Sequence, residues 1–280
     1  MVSTRTRRQF CGDLLKITAV PLASLAVPAL AAAAPAATIK SNETESAIPE
    51  LVLANHVLAA KDVVDGYGHV STRHPNFAGR YLLARSMAPA LVTAADIMTF
   101  DLDSNALGND SRQPYLERFI HGEIYRVRPD VKAIVHCHSP ELIPFADTGV
   151  ELRPLYHMSA FLAAGVPIFE IRDWRTAGDK SMLVHSRELG EALARVLGKS
   201  DALLMRGHGA VIVAATLPQV VGRSVYLQVN AKLQAEAMAL GRPINYLQPD
   251  EDPGGPAVTF YGRNWEIWKQ EAEAGCGRRP

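Results

Sequence analysis

Val131-Lys132-Ala133-Ile134-Val135-His136-Cys137-His138 is the stretch on which the reading of this chain turns. An apolar, β-branched run ending in two histidines predicts a strand over residues 131 to 138. Side chains alternate faces along a strand, so His136 and His138 point one way. Cys137 points the other way, to pack as a small apolar group. Two imidazoles at that spacing can share one metal ion. An H-x-H pair alone is a weak motif, so the search turns to a third donor. Met205-Arg206-Gly207-His208-Gly209 supplies one: His208 lies between two short apolar runs, 202 to 205 and 210 to 214, and its flanking glycines permit close approach of another backbone.

Upstream stands Pro114-Tyr115-Leu116-Glu117-Arg118-Phe119-Ile120-His121-Gly122-Glu123-Ile124-Tyr125-Arg126-Val127-Arg128-Pro129-Asp130. It predicts a helix opened by Pro114 and ended before Pro129 that feeds directly into the His136 strand. A glutamate on a helix, an H-x-H strand and a later Gly-His-Gly together resemble the class II aldolase/adducin family, through Glu117, His136, His138 and His208. The resemblance covers residues 48 to 250. It implies an α/β fold, a three-layer sandwich with a central, mainly antiparallel sheet flanked by helices. It also implies a homotetramer with sites near subunit interfaces, a divalent metal held by His136, His138 and His208, and Glu117 as the proton-shuttling catalytic group. His121, one turn after Glu117 on the same face, is expected to pack or cap, with orienting a ligand as the alternative.

Composition bounds the rest. With 280 residues, 48% hydrophobic and 21% charged, the chain can bury one large core and shows no second domain or internal repeat. Its formal net charge is zero and no basic stripe follows the N-terminus, which excludes a nucleic-acid surface and leaves a small molecule as the expected partner. Cys11, Cys137 and Cys276 are far apart and form neither a CxxC pair nor a disulfide framework.

The first residues carry a separate message. Thr6-Arg7-Arg8-Gln9-Phe10 precedes an apolar run from 17 to 30 and alanine-rich sequence to Ala37, the order of a secretory leader with a twin-arginine address. Residues 1–37 are therefore expected to be a signal peptide cleaved between Ala31 and Ala37, giving a periplasmic or secreted enzyme carried by the twin-arginine machinery. If the stretch is only a tail, the location is cytoplasmic. Residues 38–47 are expected to be a linker and 48–280 the catalytic domain. Within that domain the pattern predicts a helix over 48 to 64, strands at 69 to 73, 81 to 84 and 97 to 102, a helix over 154 to 164 and a strand near 167 to 171. Helices over 187 to 197 and 217 to 240 and a C-terminal helix docked by Trp265 and Trp268 complete it.

Three neutral imidazoles hold a divalent ion while leaving coordination positions open, the arrangement of a Lewis-acid catalyst. Zinc is the expected ion, with manganese, iron and cobalt as alternatives. The substrate-binding residues depart from the phosphate cradle that the resemblance would bring. Gly68-His69-Val70-Ser71 has histidine where the sugar-phosphate aldolases carry asparagine, and Ala84-Arg85-Ser86-Met87-Ala88-Pro89 stands where their Ser-Gly loop falls. Arg85 instead offers a planar fork for a carboxylate. With Gly68, His69, Ser71, Ser86 and Tyr156 as substrate contacts and His157 as a second proton donor, this resembles the decarboxylating branch, whose substrates are hydroxy-oxo or aromatic-derived carboxylic acids such as dihydroxyphthalates. Tyr156 and His157 have a plainer alternative as the core-facing start of a helix, and His69 and Ser71 as ordinary strand residues. His56, His74 and His185 are read as surface or packing histidines.

The first reading is thus a metal-dependent carboxy-lyase working through a stabilised enolate. An aldolase for an unphosphorylated hydroxy-oxo acid, a non-haem iron oxygenase and a non-catalytic adducin-like binding module remain as alternatives. Retention of Glu117 and all three histidines argues against the last. Replacing Arg7 and Arg8 together by lysine is expected to leave unprocessed, active protein in the cytoplasm, while the parent chain is recovered outside it with an N-terminus between residues 31 and 37. Fractionation with N-terminal sequencing checks this.

Overall fold

The short apolar runs between residues 69 and 214 form one seven-stranded sheet: β1 (His69–Arg73), β2 (Arg80–Ala84), β3 (Ile97–Asp101), β4 (Ala133–Cys137), β5 (Ile168–Phe169), β6 (Ala202–Met205) and β7 (Gly209–Ala214). This computed structural model describes residues 41–251 and 261–276. The expected leader, 1–37, lies outside the described residues. Strand order is β3-β2-β1-β4-β7-β6-β5. The β5–β6 pair is parallel and the other pairs are antiparallel.

Helices cover the sheet as α1 (Ser41–Ala60), α2 (Arg118–Val127), the short α3 (Ile143–Thr148), α4 (Arg187–Leu197), α5 (Leu217–Ala239) and α6 (Gly262–Cys276). One layer is α1, α5 and α6, which touch one another, α1 and α5 also touching the sheet; α2 and α4 pack together as a second group. Each residue of β4 and β7 is buried, as expected for central strands covered on both faces. Trp265 and Trp268 of α6 are buried where it meets α1 and α5. The α/β sandwich expected from the sequence is the observed architecture.

Several boundaries differ from expectation. The residues expected to be a linker, 38–47, are already helical from Ser41. Apolar periodicity begins only at Ile48, and a polar first turn carries no core-facing signal, so the pattern starts late. The same helix stops at Ala60, earlier than expected, because Asp62 adopts φ 56° and the N–H groups of Asp62 and Val63 return to the carbonyls of Ala59 and Leu58. The segment expected to be a helix over 154 to 164 is a run of 3-10 turns from His157 to Ala164. It is tied to α5 instead, with Asn230 accepting from the Leu155 and Tyr156 N–H groups and the Ser159 hydroxyl donating to the Tyr226 carbonyl.

Sheet register sets the site. His69 of β1 lies opposite His136 of β4, and Cys137 lies opposite Ala210 of β7. Gly209 has φ 158°, and a Cβ there would fall 2.0 Å from the Cys137 carbonyl oxygen, so the turn carrying His208 sits directly on the end of β4. Gly209→Ala is expected to lower stability by about 1–3 kcal/mol through overpacking, and to loosen the centre described next. Urea unfolding together with metal affinity measures both.

Candidate metal centre

Three elements deliver four side chains to one point. β4 and its extension supply His136 and His138, the β6–β7 turn supplies His208, and the residue just before α2 supplies Glu117. Their candidate ligand atoms all lie within 4.8 Å of one another. His138 Nε2 is 3.1 Å from His136 Nε2 and 3.0 Å from His208 Nε2. Glu117 Oε2 is 3.3 Å from His136 Nε2 and 3.4 Å from His208 Nε2. Glu117 is not inside the helix as the sequence suggested. It occupies the N-cap position with φ −88° and ψ 18°, and its carboxylate does not cap α2. Oε1 instead accepts the Val184 N–H at 2.9 Å, which aims Oε2 at the imidazoles.

Whether these residues fit a metal is decided by their outer hydrogen bonds. His136 Nδ1 lies 3.1 Å from the Ala210 carbonyl oxygen, and His208 Nδ1 lies 2.9 Å from that of Met182. A carbonyl only accepts, so each Nδ1 carries the ring proton and each Nε2 turns a lone pair inward. Burial opposes ionisation of Glu117, yet the His136 and His208 rings hold it well below the usual carboxylate range. Burial first, then its histidine neighbours, lowers His138 to about 4. With the His136 and His208 rings both neutral, their lone pairs face the Glu117 carboxylate, a repulsive arrangement that a cation resolves. A divalent ion bonded at about 2.1 Å to each nitrogen would put neighbouring nitrogens about 3.0–3.4 Å apart for bond angles from right-angled to tetrahedral, and the two edges from His138 Nε2, 3.1 and 3.0 Å, fall there. The residues fit a divalent metal with His136, His138 and His208 as ligands and Glu117 beside or upon it.

The centre opens on a cavity of ≈ 510 Å³ whose wall includes Gly68, His69 and Ser86 with Glu117, His136 and His138. Gly68, at φ 87°, lets the segment before β1 close on β4, since a Cβ there would sit 3.0 Å from the His136 carbonyl oxygen. The remaining wall is largely apolar, from Tyr67, Met87, Tyr115, Leu116 and Leu183, and among the described residues it includes no lysine or arginine. Of these, Tyr67 and Leu183 escaped the sequence reading because single apolar residues in loops have no periodicity to mark them.

Other expected site residues are placed elsewhere. The Ser71 hydroxyl faces α2, buried between His121 and Tyr125, and does not reach the cavity. Arg85 is 41% exposed, is not on the wall, and donates from Nε to Asp96 Oδ1 at 2.7 Å. Tyr156 and His157 line a different cavity with Tyr226, Tyr261 and Arg263. Cys137 points away from the ligands and is buried, which pushes its thiol up to about 11. His74 is buried, His185 pairs with Asp179, and His56 bonds the Val92 carbonyl oxygen.

The model of the Class II Aldolase and Adducin N-terminal domain matches residues 49–235. The chain belongs to this family. Among its relatives is decarboxylase tropJ of Talaromyces stipitatus, 35% identical over 243 residues, covering 79% of this chain and 91% of the relative. Another is the 3,4-dihydroxyphthalate decarboxylase of Arthrobacter keyseri, 30% identical over 219 residues, covering 72% of this chain and 82% of the relative. These relatives fit the decarboxylase-like branch of the family and an enzyme of the lyase type. The fold is also that of an L-fuculose 1-phosphate aldolase from Glaciozyma antarctica, with TM-score 0.69 at 21% identity over 88% of this chain and 95% of that one.

His136→Ala, His138→Ala and His208→Ala are each expected to lose bound metal while keeping the wild-type circular dichroism, because the core forms without the ion. Elemental analysis of the purified variants checks this; full metal content in any two would remove the centre.

Proposed function

We propose that this protein is a metal-dependent decarboxylase of a hydroxylated aromatic or hydroxy-oxo carboxylic acid. The observation that carries the proposal is a Glu/His3 set at the end of a cavity walled by Tyr67, Met87, Tyr115, Leu116 and Leu183 and free of lysine and arginine. Apolar walls suit a flat, carbon-rich ring. A phosphate would need a cationic or multidentate cradle, which this wall lacks, and Ser71, at the cradle position, spends its hydroxyl on His121 and Tyr125. That a relative is a 3,4-dihydroxyphthalate decarboxylase supports an acid of this kind.

When bound, a divalent cation would stabilise negative charge on a substrate oxygen next to the bond being broken. The chain's own residues do the rest. His136 and His208 are held in the ligating tautomer by backbone carbonyls, with His138 Nε2 beside both, and the apolar wall excludes water from the carbanion left when carbon dioxide departs. Glu117, fixed by the Val184 N–H and ionised at rest, takes up the proton released by the substrate hydroxyl and returns it to this carbon. Zinc is the proposed ion, with manganese, iron or cobalt as alternatives. We also propose a homotetramer, consistent with Tyr67 and Leu116 standing 72% and 56% exposed at the cavity, and twin-arginine export.

Glu117→Gln is expected to keep most of the metal and lower turnover by roughly 10²-fold or more, the usual scale for a lost acid–base group. The reading as a whole is tested with a panel of hydroxylated aromatic and hydroxy-oxo dicarboxylic acids, scoring released carbon dioxide. Aldehyde release would make the protein an aldolase, and iron content with oxygen consumption an oxygenase. No turnover of any acid by metal-loaded protein would overturn the enzymatic reading.

A further inference from the structure

Behind the cavity wall lies a row of four buried polar groups that the proposed reaction does not use. His121 and Tyr125 are one turn apart on α2, and His69 and Ser71 are two apart on β1, so both pairs face each other across the helix–sheet interface. Tyr125 Oη is 2.8 Å from Ser71 Oγ, Ser71 Oγ is 2.6 Å from His121 Nδ1, and His121 Nε2 is 2.7 Å from His69 Nδ1. All four residues are buried, and only His69 is on the cavity wall. Its other nitrogen, Nε2, makes no hydrogen bond among the described residues.

Counting hydrogens gives this row a direction. Each hydroxyl and each neutral imidazole holds one hydrogen, and three bonds join the four groups. In one direction Tyr125 donates to Ser71, Ser71 donates to His121 Nδ1 and His121 Nε2–H donates to His69 Nδ1. His69 then carries its hydrogen on Nε2, toward the cavity. In the reverse direction the Tyr125 hydrogen is turned back on the Lys132 carbonyl oxygen, 3.4 Å away. That is too long for a good O–H···O bond, and a buried hydroxyl left without a partner is disfavoured. The row is not a proton conduit, because a proton drawn through it would leave a phenolate at Tyr125, whose acidity burial suppresses strongly.

We propose that Tyr125, Ser71 and His121 are positioning residues that lock His69 as its Nε2–H tautomer, presenting a fixed hydrogen-bond donor to an oxygen of the bound acid. The ligand in this statement rests on the decarboxylase reading; the tautomer does not. Glu117 and the ligand imidazoles offer lone pairs and the Tyr115 hydroxyl is spent on the Met87 carbonyl, so His69 joins the Ser86 and Tyr67 hydroxyls as the donors that a carboxylate or phenolic oxygen requires, and it alone is fixed in direction by a buried row.

The test is nitrogen-15 NMR of zinc-loaded protein labelled at histidine, with the His69 signal assigned by its loss in His69→Gln. Wild type is expected to show His69 protonated at Nε2 and not at Nδ1. Ser71→Ala and His121→Asn are expected to bring in the Nδ1–H form, and Ser71→Thr, which keeps the hydroxyl, to restore the wild-type pattern. A wild-type His69 protonated at Nδ1, or a tautomer unmoved in both Ser71→Ala and His121→Asn, would overturn the lock whether or not the protein decarboxylates anything. Where an acid is turned over, Ser71→Ala and His69→Phe are expected to raise KM about tenfold or more, the scale of one hydrogen bond to a charged group. An unchanged KM in His69→Phe would remove the donor role while leaving the decarboxylase reading intact.

Discussion

Inward-pointing lone pairs on the His136 and His208 imidazoles, with His138 between them, are the constraint around which this structure is arranged. Imidazoles left to water would turn or protonate to avoid one another. Here two are pinned by carbonyls that can only accept: Ala210 on β7 for His136, and Met182 in the loop before α4 for His208. The Val184 N–H, in the same loop, pins Glu117. Two residues of one loop thus orient two members of the set, and neighbouring strands fix the rest. Closing such a set requires backbone to approach backbone, which is why Gly209 presses on the Cys137 carbonyl.

The same interface carries a second load. β1 and α2 meet through Ser71, His121, Tyr125 and His69, where an ordinary helix–sheet contact would be apolar. Burying polar groups is costly unless each is bonded, and each of these four is bonded to another. Burial also holds His69 well below its usual range and His121 at about 3. A cation at the neighbouring centre would push both the same way, so the row stays neutral beside it. Polar order is thus used here in place of packing to hold a ring at a fixed angle.

Electrostatics on the wall follow from what is absent as much as from what is present. Arg85 could have brought charge to the cavity but is tied to Asp96 outside it, and hydrogen bonds from Thr93 first and then Arg85 hold the Asp96 carboxyl at about 2. The negative charge of a bound acid must then be met by the metal and by donors such as His69. This favours ligands whose oxygens lie close together on a flat apolar frame.

The sequence by itself determined the strands and the His136, His138 and His208 pattern, and the family resemblance those motifs carry added the mainly antiparallel sandwich and Glu117. Strand alternation puts His136 and His138 on one face and Cys137 on the other by a local rule, and the glycines beside His208 announce a close approach whatever the partner. Helix ends were less legible, since polar turns such as that before Ile48 leave no periodic trace. What only the tertiary structure decided was direction and company. Ser71 has the alternation of a cavity residue but faces α2, because β1 runs past the cavity mouth within two residues. Tyr156 and His157 are anchored by α5 to another cavity, and Arg85 found Asp96. Each of these depends on which loop or helix folds back against the residue, a long-range packing choice that spacing along the chain does not encode.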